Sequence, residues 1–197
     1  FIVFAQFAAS IVHLTANPEV RERLAGEVAT LRAQPTAGEL AANAYLMHVV
    51  DEVRRLTPIV PIVFGKARRT FVVDGFEIPA GWSVAAAVWA NDREAASFPD
   101  PERFDPDRFG ARAEQAAHPF AYTPQGAGPP SGHRCPGYDL TSIFMALFAS
   151  KLVSGFCWAL PEQDLDPNWA LVPPVPRDGL RAVVQPLHAS GEPSLLR

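Results

Sequence analysis

Cysteine is nearly absent from this chain: Cys135 and Cys157 are the only two in 197 residues. One possible pair is no disulfide framework, so a stapled secreted scaffold is excluded, and a reducing compartment, the cytoplasm, fits better. Dense basic blocks are missing too. Seventeen lysines and arginines stand against 21 acids, for a net charge of −4, which makes nucleic acid a poor candidate partner. Nor is there a long apolar run. The best, Phe1 to Ala16, lasts about 16 residues and is interrupted by Gln6, Ser10 and His13, whereas a membrane span needs roughly 20 mostly apolar residues. Without a basic leader or a small-residue cleavage site it does not read as a signal peptide.

What the chain does have is apolar surface, 48% hydrophobic residues, enough for a sizeable core and too much for disorder. The opening "FIVFAQFAASIVHL" is apolar on nearly every side, as a core helix wrapped by others would be. Too few later helices are available to wrap it. The expectation is a chain that begins inside an element: residues 1–197 as one incomplete domain, with an upstream part missing.

Asn17-Pro18 predicts a helix start, Asn as cap and Pro at the first helical position, running to about Gln34. A second helix is expected from about Leu40 to Leu56, with Leu46, Val49, Val50 and Val53 at helical spacing. Pro58 and Pro61 end it. The period then changes. "RRTFVVDGFEIPAGWSVAAAVW" predicts short strands around an Asp74-Gly75 turn and a Pro-Ala-Gly turn, with Trp82 and Trp89 on a strand. A proline-punctuated meander follows, then a loop over 120–136, a helix over 137–153, and short strands with a hairpin near Asp178-Gly179. Cys157 is expected on a strand in the core, and His13 and His48 as packing or surface residues.

The loop "QGAGPPSGHRCPGYDL" presents Cys135. Pro136 suits the first turn of the next helix, which would put Cys135 at its N-cap, facing unpaired amides and the positive end of the helix dipole. With His133 and Arg134 beside it, the setting favours a thiolate. Such a sulfur serves as a nucleophile, a zinc ligand or the axial ligand of a haem iron; an inert cysteine at a capped helix is the plain alternative. His118, His133 and Cys135 offer no paired zinc spacing. Gly126, Ala127, Gly128, Gly132 and Gly137 permit close backbone approach to a flat group. Elsewhere "EVRR" sets Glu52 and Arg55 on one helix face, and Arg108 in "PERFDPDRF" is a candidate third member. An exposed pair is the plain reading; a buried one needs such extra partners to offset desolvation.

Taken in order, "EVRR", "GFEIPAGWSV", "DPERFDPDRF" and "GHRCPG" before a helix resemble the C-terminal half of a cytochrome P-450, over essentially the whole chain. The resemblance implies a mainly α fold with small β-sheets and haem b as cofactor, with Cys135 as proximal thiolate and iron ligand. It implies a structural triad of Glu52, Arg55 and Arg108 beneath the haem loop. Residues 1 to 16 would be the distal half of the central helix crossing above the haem. The loop departs from the common pattern, having Gly128, Ser131 and His133 where most members have phenylalanine, glycine and a basic residue. "PQGAG", "GHRCPG" and "EVRRLTPIVPIVFGKARRTF" instead look like the bacterial fatty-acid peroxygenase branch. Phe64 stands where an arginine often meets a haem propionate, leaving His133, Arg134, Lys66 or Arg68 as candidate cations; Gln125 and Gly128 are further candidates for the cofactor environment.

That branch implies a long-chain fatty acid and hydrogen peroxide as partners, no obligatory redox partner, and hydroxylation near the carboxylate or oxidative decarboxylation. Ile59, Val60 and Ile62 are candidates to line an apolar substrate channel, with core packing as the alternative. Rival readings are an oxygen-dependent monooxygenase fed by a redox partner, an inactive truncated haem-binding fragment, and a zinc- or thiol-based protein.

Overall fold

The structure is a computed structural model that describes residues 2–110, 118, 120–128, 131–132 and 134–187. Helices α1 (Ile2–Ala16), α2 (Pro18–Val28), α4 (Ala44–Leu56) and α6 (Tyr138–Gly155) pack around one core, with short α3 (Ala37–Ala42) alongside. α1 turns Ala5, Gln6, Ala9, Ser10 and Leu14 inward. These mostly small side chains let α4 and α6 come close, and the Phe7 and Phe148 rings stack with centroids 4.3 Å apart. No helix among the described residues is long and apolar enough to cross a membrane.

Several boundaries differ from expectation, each for a local reason. Pro18 does open α2, where its missing amide costs nothing. Asn17 holds the N-cap position as expected, but its side chain caps no amide; its side-chain amide donates back to the carbonyl of His13 at 2.8 Å and fixes the corner between α1 and α2. α2 stops at Val28 rather than near Gln34. There the Thr30 hydroxyl donates to the Glu27 carbonyl and the Leu31 amide to that of Val28, a tight turn that swings Leu31 onto the core.

The expected helix over 40–56 is two. Thr36 and Glu39 form a reciprocal capping box that starts α3 at Ala37. Asn43, extended at ψ 96°, then breaks the chain and its side chain accepts from the Leu46 amide at 3.0 Å, starting α4. Leu46, Val49, Val50 and Val53 form the buried stripe of α4.

Among the described residues three two-stranded antiparallel sheets flank the helices: β1 (Val63–Lys66) with β4 (Ser83–Ala86), β2 (Phe71–Val73) with β3 (Phe76–Ile78), and β5 (Phe156–Ala159) with β6 (Val183–Pro186). The fold is therefore mainly α with small sheets, as expected. Asp74 and Gly75, both at positive φ (47° and 83°), close the β2–β3 hairpin. Trp89 lies not on a strand but in α5 (Val88–Asn91), and Trp82 sits in the turn before β4. The predicted hairpin at Asp178-Gly179 is only a turn, its Gly179 amide bonding the Pro176 carbonyl. It lies inside the long connection from β5 to β6, because β6 pairs with the strand that leaves α6. Cys157 is on β5 and half-buried, its thiol 3.6 Å from the Gln185 carbonyl.

Candidate functional site

The loop before α6 is held at several points. Gly126 and Gly128 both take positive φ (85° and 87°), a conformation L side chains rarely adopt. The backbone thus folds back so that the Cys135 amide donates to the Gln125 carbonyl at 2.9 Å. Cys135 is a free, half-buried thiol. α6 starts at Tyr138 with Gly137 as its N-cap, so Cys135 is not the cap that the Cys-Pro sequence predicts. The Cys135 carbonyl instead accepts from the Tyr138 amide at 3.1 Å, which inserts a turn between the sulfur and the helix. Gly137 lies beside the sulfur: a Cβ there would make an ordinary van der Waals contact with Sγ at 3.8 Å.

Behind this loop, Glu52, Arg55 and Arg108 meet. The Glu52 carboxylate, with no exposure, accepts from Arg55 Nε at 2.7 Å and Nη2 at 2.9 Å, Arg108 Nε at 3.0 Å and the Asp105 amide at 2.8 Å. Both arginines reach further, to the carbonyls of Asp92, Pro99, Asp100 and Arg103. A buried ion pair holds a fold only when its remaining hydrogen-bonding groups are met, as they are here.

Three charged participants, Asp92, Arg54 and Asp51, do not stand out in the sequence. Asp92, at the end of α5, is completely buried. Its Oδ1 accepts the Thr123 amide at 2.7 Å and hydroxyl at 3.2 Å, while Oδ2 has no hydrogen-bond partner among the described residues. Burial, outweighing these hydrogen bonds and the charge of Arg55, raises its pKa to about 6. Arg54 points from α4 to the start of α6, bonding Ser142 Oγ at 2.8 Å and Thr141 Oγ1 at 2.9 Å. Asp51 accepts from the phenols of Tyr122 and Tyr138, both at 3.1 Å; burial first, and the Asp51 charge next, raise the pKa of both tyrosines. A sequence signal exists for this last group: "DEVRR" contains two acid–base pairs three apart, one residue out of step.

The remaining candidates are scattered. Gln125 contacts Thr141 Oγ1 through its side chain at 3.4 Å. Arg134 lies over the Tyr138 ring at 4.0 Å, and Lys66 and Arg68 are exposed. His133 lies outside the described residues. Ile59 is buried, Val60 half-buried and Ile62 exposed. His13, which lacks a role in the sequence, stacks on Phe104 with centroids 4.9 Å apart and meets Thr57 Oγ1 at 3.0 Å. Beside it α1 and the stretches Leu165–Pro167 and Pro174–Pro176 bound an apolar cavity of about 320 Å³.

The family model for Cytochrome P450 matches residues 7–176. The chain belongs to the cytochrome P450 family. Putative cytochrome P450 120 of Synechocystis sp. is 34% identical to it over 177 residues, which are 87% of this chain and 38% of that protein. The structure of retinoic acid-bound cyanobacterial CYP120A1 superposes with a TM-score of 0.86 at 31% identity, over 94% of this chain and 43% of the other. That of a single-residue variant of cytochrome P450 OleT in complex with arachidonic acid gives 0.73 at 26%, over 93% and 40%. The chain thus spans about two fifths of the length of these P450 relatives.

Cytochrome P450 proteins bind haem, and the donor set here suits that group. Among the described residues no cluster of three or more His, Cys, Asp or Glu could hold a bare metal ion. A free cysteine sulfur on this loop suits haem, because the macrocycle brings the iron's remaining donors with it.

Proposed function

We propose that the protein is a haem-thiolate oxidoreductase acting on long-chain fatty acids, hydroxylating near the carboxylate, or decarboxylating to an alkene, with hydrogen peroxide as oxidant. The observation that carries the haem-thiolate part is Cys135, a free sulfur on a loop whose backbone is pinned through Gln125 and Thr123. Cys135 would hold the haem iron through its sulfur, and bound haem would supply the redox chemistry, with a thiolate ligand favouring O–O cleavage.

The chain's own residues hold this sulfur in place. Glu52, Arg55 and Arg108 brace the meander; Asp92 ties that brace to Thr123, since its carbonyl takes Arg55 Nη1 and its carboxylate takes the loop. Gly128 and Gln125 shape the loop around the cofactor, and Arg134 and His133 are its candidate cations. Ile59, Val60 and Ile62 border the substrate channel, and the apolar cavity against α1 supports a water-poor path for a hydrocarbon tail.

The substrate class draws support from the two structural neighbours. Their ligands, retinoic acid and arachidonic acid, are both carboxylic acids with long apolar chains. The peroxide route draws support from the loop sequence, "PQGAG" to "GHRCPG". A second reading, an oxygen-dependent monooxygenase with a redox partner, is favoured by similarity to a relative named as a monooxygenase, the beta-amyrin 28-monooxygenase of Saponaria officinalis, 32% identical over 81% of this chain and 31% of that protein. Haem-loaded intact protein given a fatty acid and hydrogen peroxide, without reductase, decides between them. The first reading expects a hydroxy acid or alkene; no product with peroxide but turnover with a reductase selects the second.

A further inference from the structure

Arg54 is as completely buried as Arg55, at 1% exposure, yet it serves a different neighbour. A residue's step along a helix is about 100°, so the pair Asp51–Arg54 is turned by about that angle from Glu52–Arg55, towards a different neighbour. The triad braces the meander. The second pair instead reaches the loop that carries Cys135.

Its contacts fall on both sides of the sulfur. Before Cys135, the Tyr122 phenol donates to Asp51 Oδ1 and to the Asp51 carbonyl, both at 3.1 Å. After it, the Tyr138 phenol donates to the same Oδ1 at 3.1 Å. Arg54 Nη1 stands 3.5 Å from that oxygen. The guanidinium also lies 4.6 Å from the Tyr138 ring centroid, and Nη2 approaches the Tyr138 carbonyl at 3.3 Å. From Arg54 a continuous path leads to the sulfur-bearing residue. Thr141 Oγ1 accepts from Nη2 at 2.9 Å and meets the Gln125 side chain at 3.4 Å, and the Gln125 carbonyl holds the Cys135 amide at 2.9 Å.

We propose that Asp51 and Arg54 are positioning residues for Cys135, clamping both ends of its loop so that the sulfur stays where an iron can use it. This rests on the reading of Cys135 as the haem ligand. A merely structural pair would lower stability without changing which atom binds iron. A positioning pair controls the local opening of one loop, a motion distinct from global unfolding.

The test uses the haem-loaded intact protein as wild type, Arg54→Met, Arg54→Lys and Leu24→Ala. Leu24 is a fully buried core residue of α2, so Leu24→Ala supplies a destabilised control away from the loop. The readouts are the reduced, carbon monoxide-bound absorption band and amide hydrogen exchange across 125–141. Arg54→Met is expected to lose more than half of the thiolate-type band, with exchange at Cys135 and Thr141 at least about 10-fold faster. Arg54→Lys, which keeps the charge beside Asp51, restores most of the band, and Leu24→Ala keeps it. A full thiolate band in Arg54→Met, or an equal loss in Leu24→Ala, overturns the inference while leaving Cys135 as ligand. A wild type without the band overturns both. Should Arg54→Met fail to fold, the milder Tyr122→Phe removes one donor to Asp51; unchanged exchange at Cys135 in that variant also overturns the inference.

Discussion

Asp92→Asn isolates an electrostatic load that the fold carries next to its candidate site. Asp92 has no exposure, its Oδ2 has no hydrogen-bond partner among the described residues, and burial raises its carboxyl from 3.8 to about 6. The folded state therefore keeps a proton that the unfolded chain has already released across that window. Wherever the folded state binds more protons, stability falls as pH rises. A rise of about two pH units at 1.36 kcal/mol each makes the wild type about 3 kcal/mol less stable above pH 6 than this group alone would leave it below pH 4. Asparagine keeps the oxygen that receives the Thr123 amide and has no proton to lose. Urea unfolding of the intact protein, followed by tryptophan fluorescence at several pH values, gives the variant's stability minus that of the wild type. That difference is expected to climb by about 3 kcal/mol between about pH 4 and pH 7. A flat difference, or one that falls with pH, refutes the argument that desolvation dominates at Asp92.

His13 gives the opposite sign. Burial, then the charges of Arg93 and Arg55, lowers its pKa from 6.5 to about 4, so its contribution is present above 6.5 and lost as pH falls towards 4. In the same assay His13→Gln should gain on the wild type by about 3 kcal/mol on acidification over that range; no gain contradicts the neutral, buried imidazole. Glu52→Gln, which leaves Arg55 and Arg108 facing each other without their carboxylate, should cost about 3–5 kcal/mol in urea unfolding. By contrast Asp107→Asn, which breaks the exposed pair with Arg23, should cost less than about 1 kcal/mol; similar costs for the two would contradict the burial argument.

Much of the fold is legible in the sequence because it depends on short-range rules. The Asp74-Gly75 hairpin follows from two residues that tolerate positive φ, and the stripe on α4 follows from helical spacing. The capping box at Thr36 and Glu39 is equally readable from its spacing, whereas α3 and α4 merge into one helix only when the Asn43 cap between them is overlooked. Other features depend on contacts far apart along the chain. Nothing local says that β6 pairs with β5 rather than forming a hairpin at Asp178-Gly179. Nor does anything local say that Asn17 turns its amide back to His13.

At the site, Glu52, Arg55 and Arg108 stand out through motifs. Asp51 and Arg54 do not, since one residue's shift along α4 decides which neighbour each pair meets. Asp92 is hidden for another reason: an Asp between Asn91 and Arg93 in a charged meander looks solvated until its burial is known. Cys135 is conspicuous, but the sequence starts its helix too early, because proline after cysteine suits a first helical turn as well as the turn that precedes it.

The most direct measurement of the central claim is the absorption spectrum of the reduced, carbon monoxide-bound intact protein supplied with haem, beside that of Cys135→Ala. If Cys135 holds the iron, the wild type shows a thiolate-type band that the substitution abolishes. The same band in both proteins would contradict it, because iron would then be held by some other group.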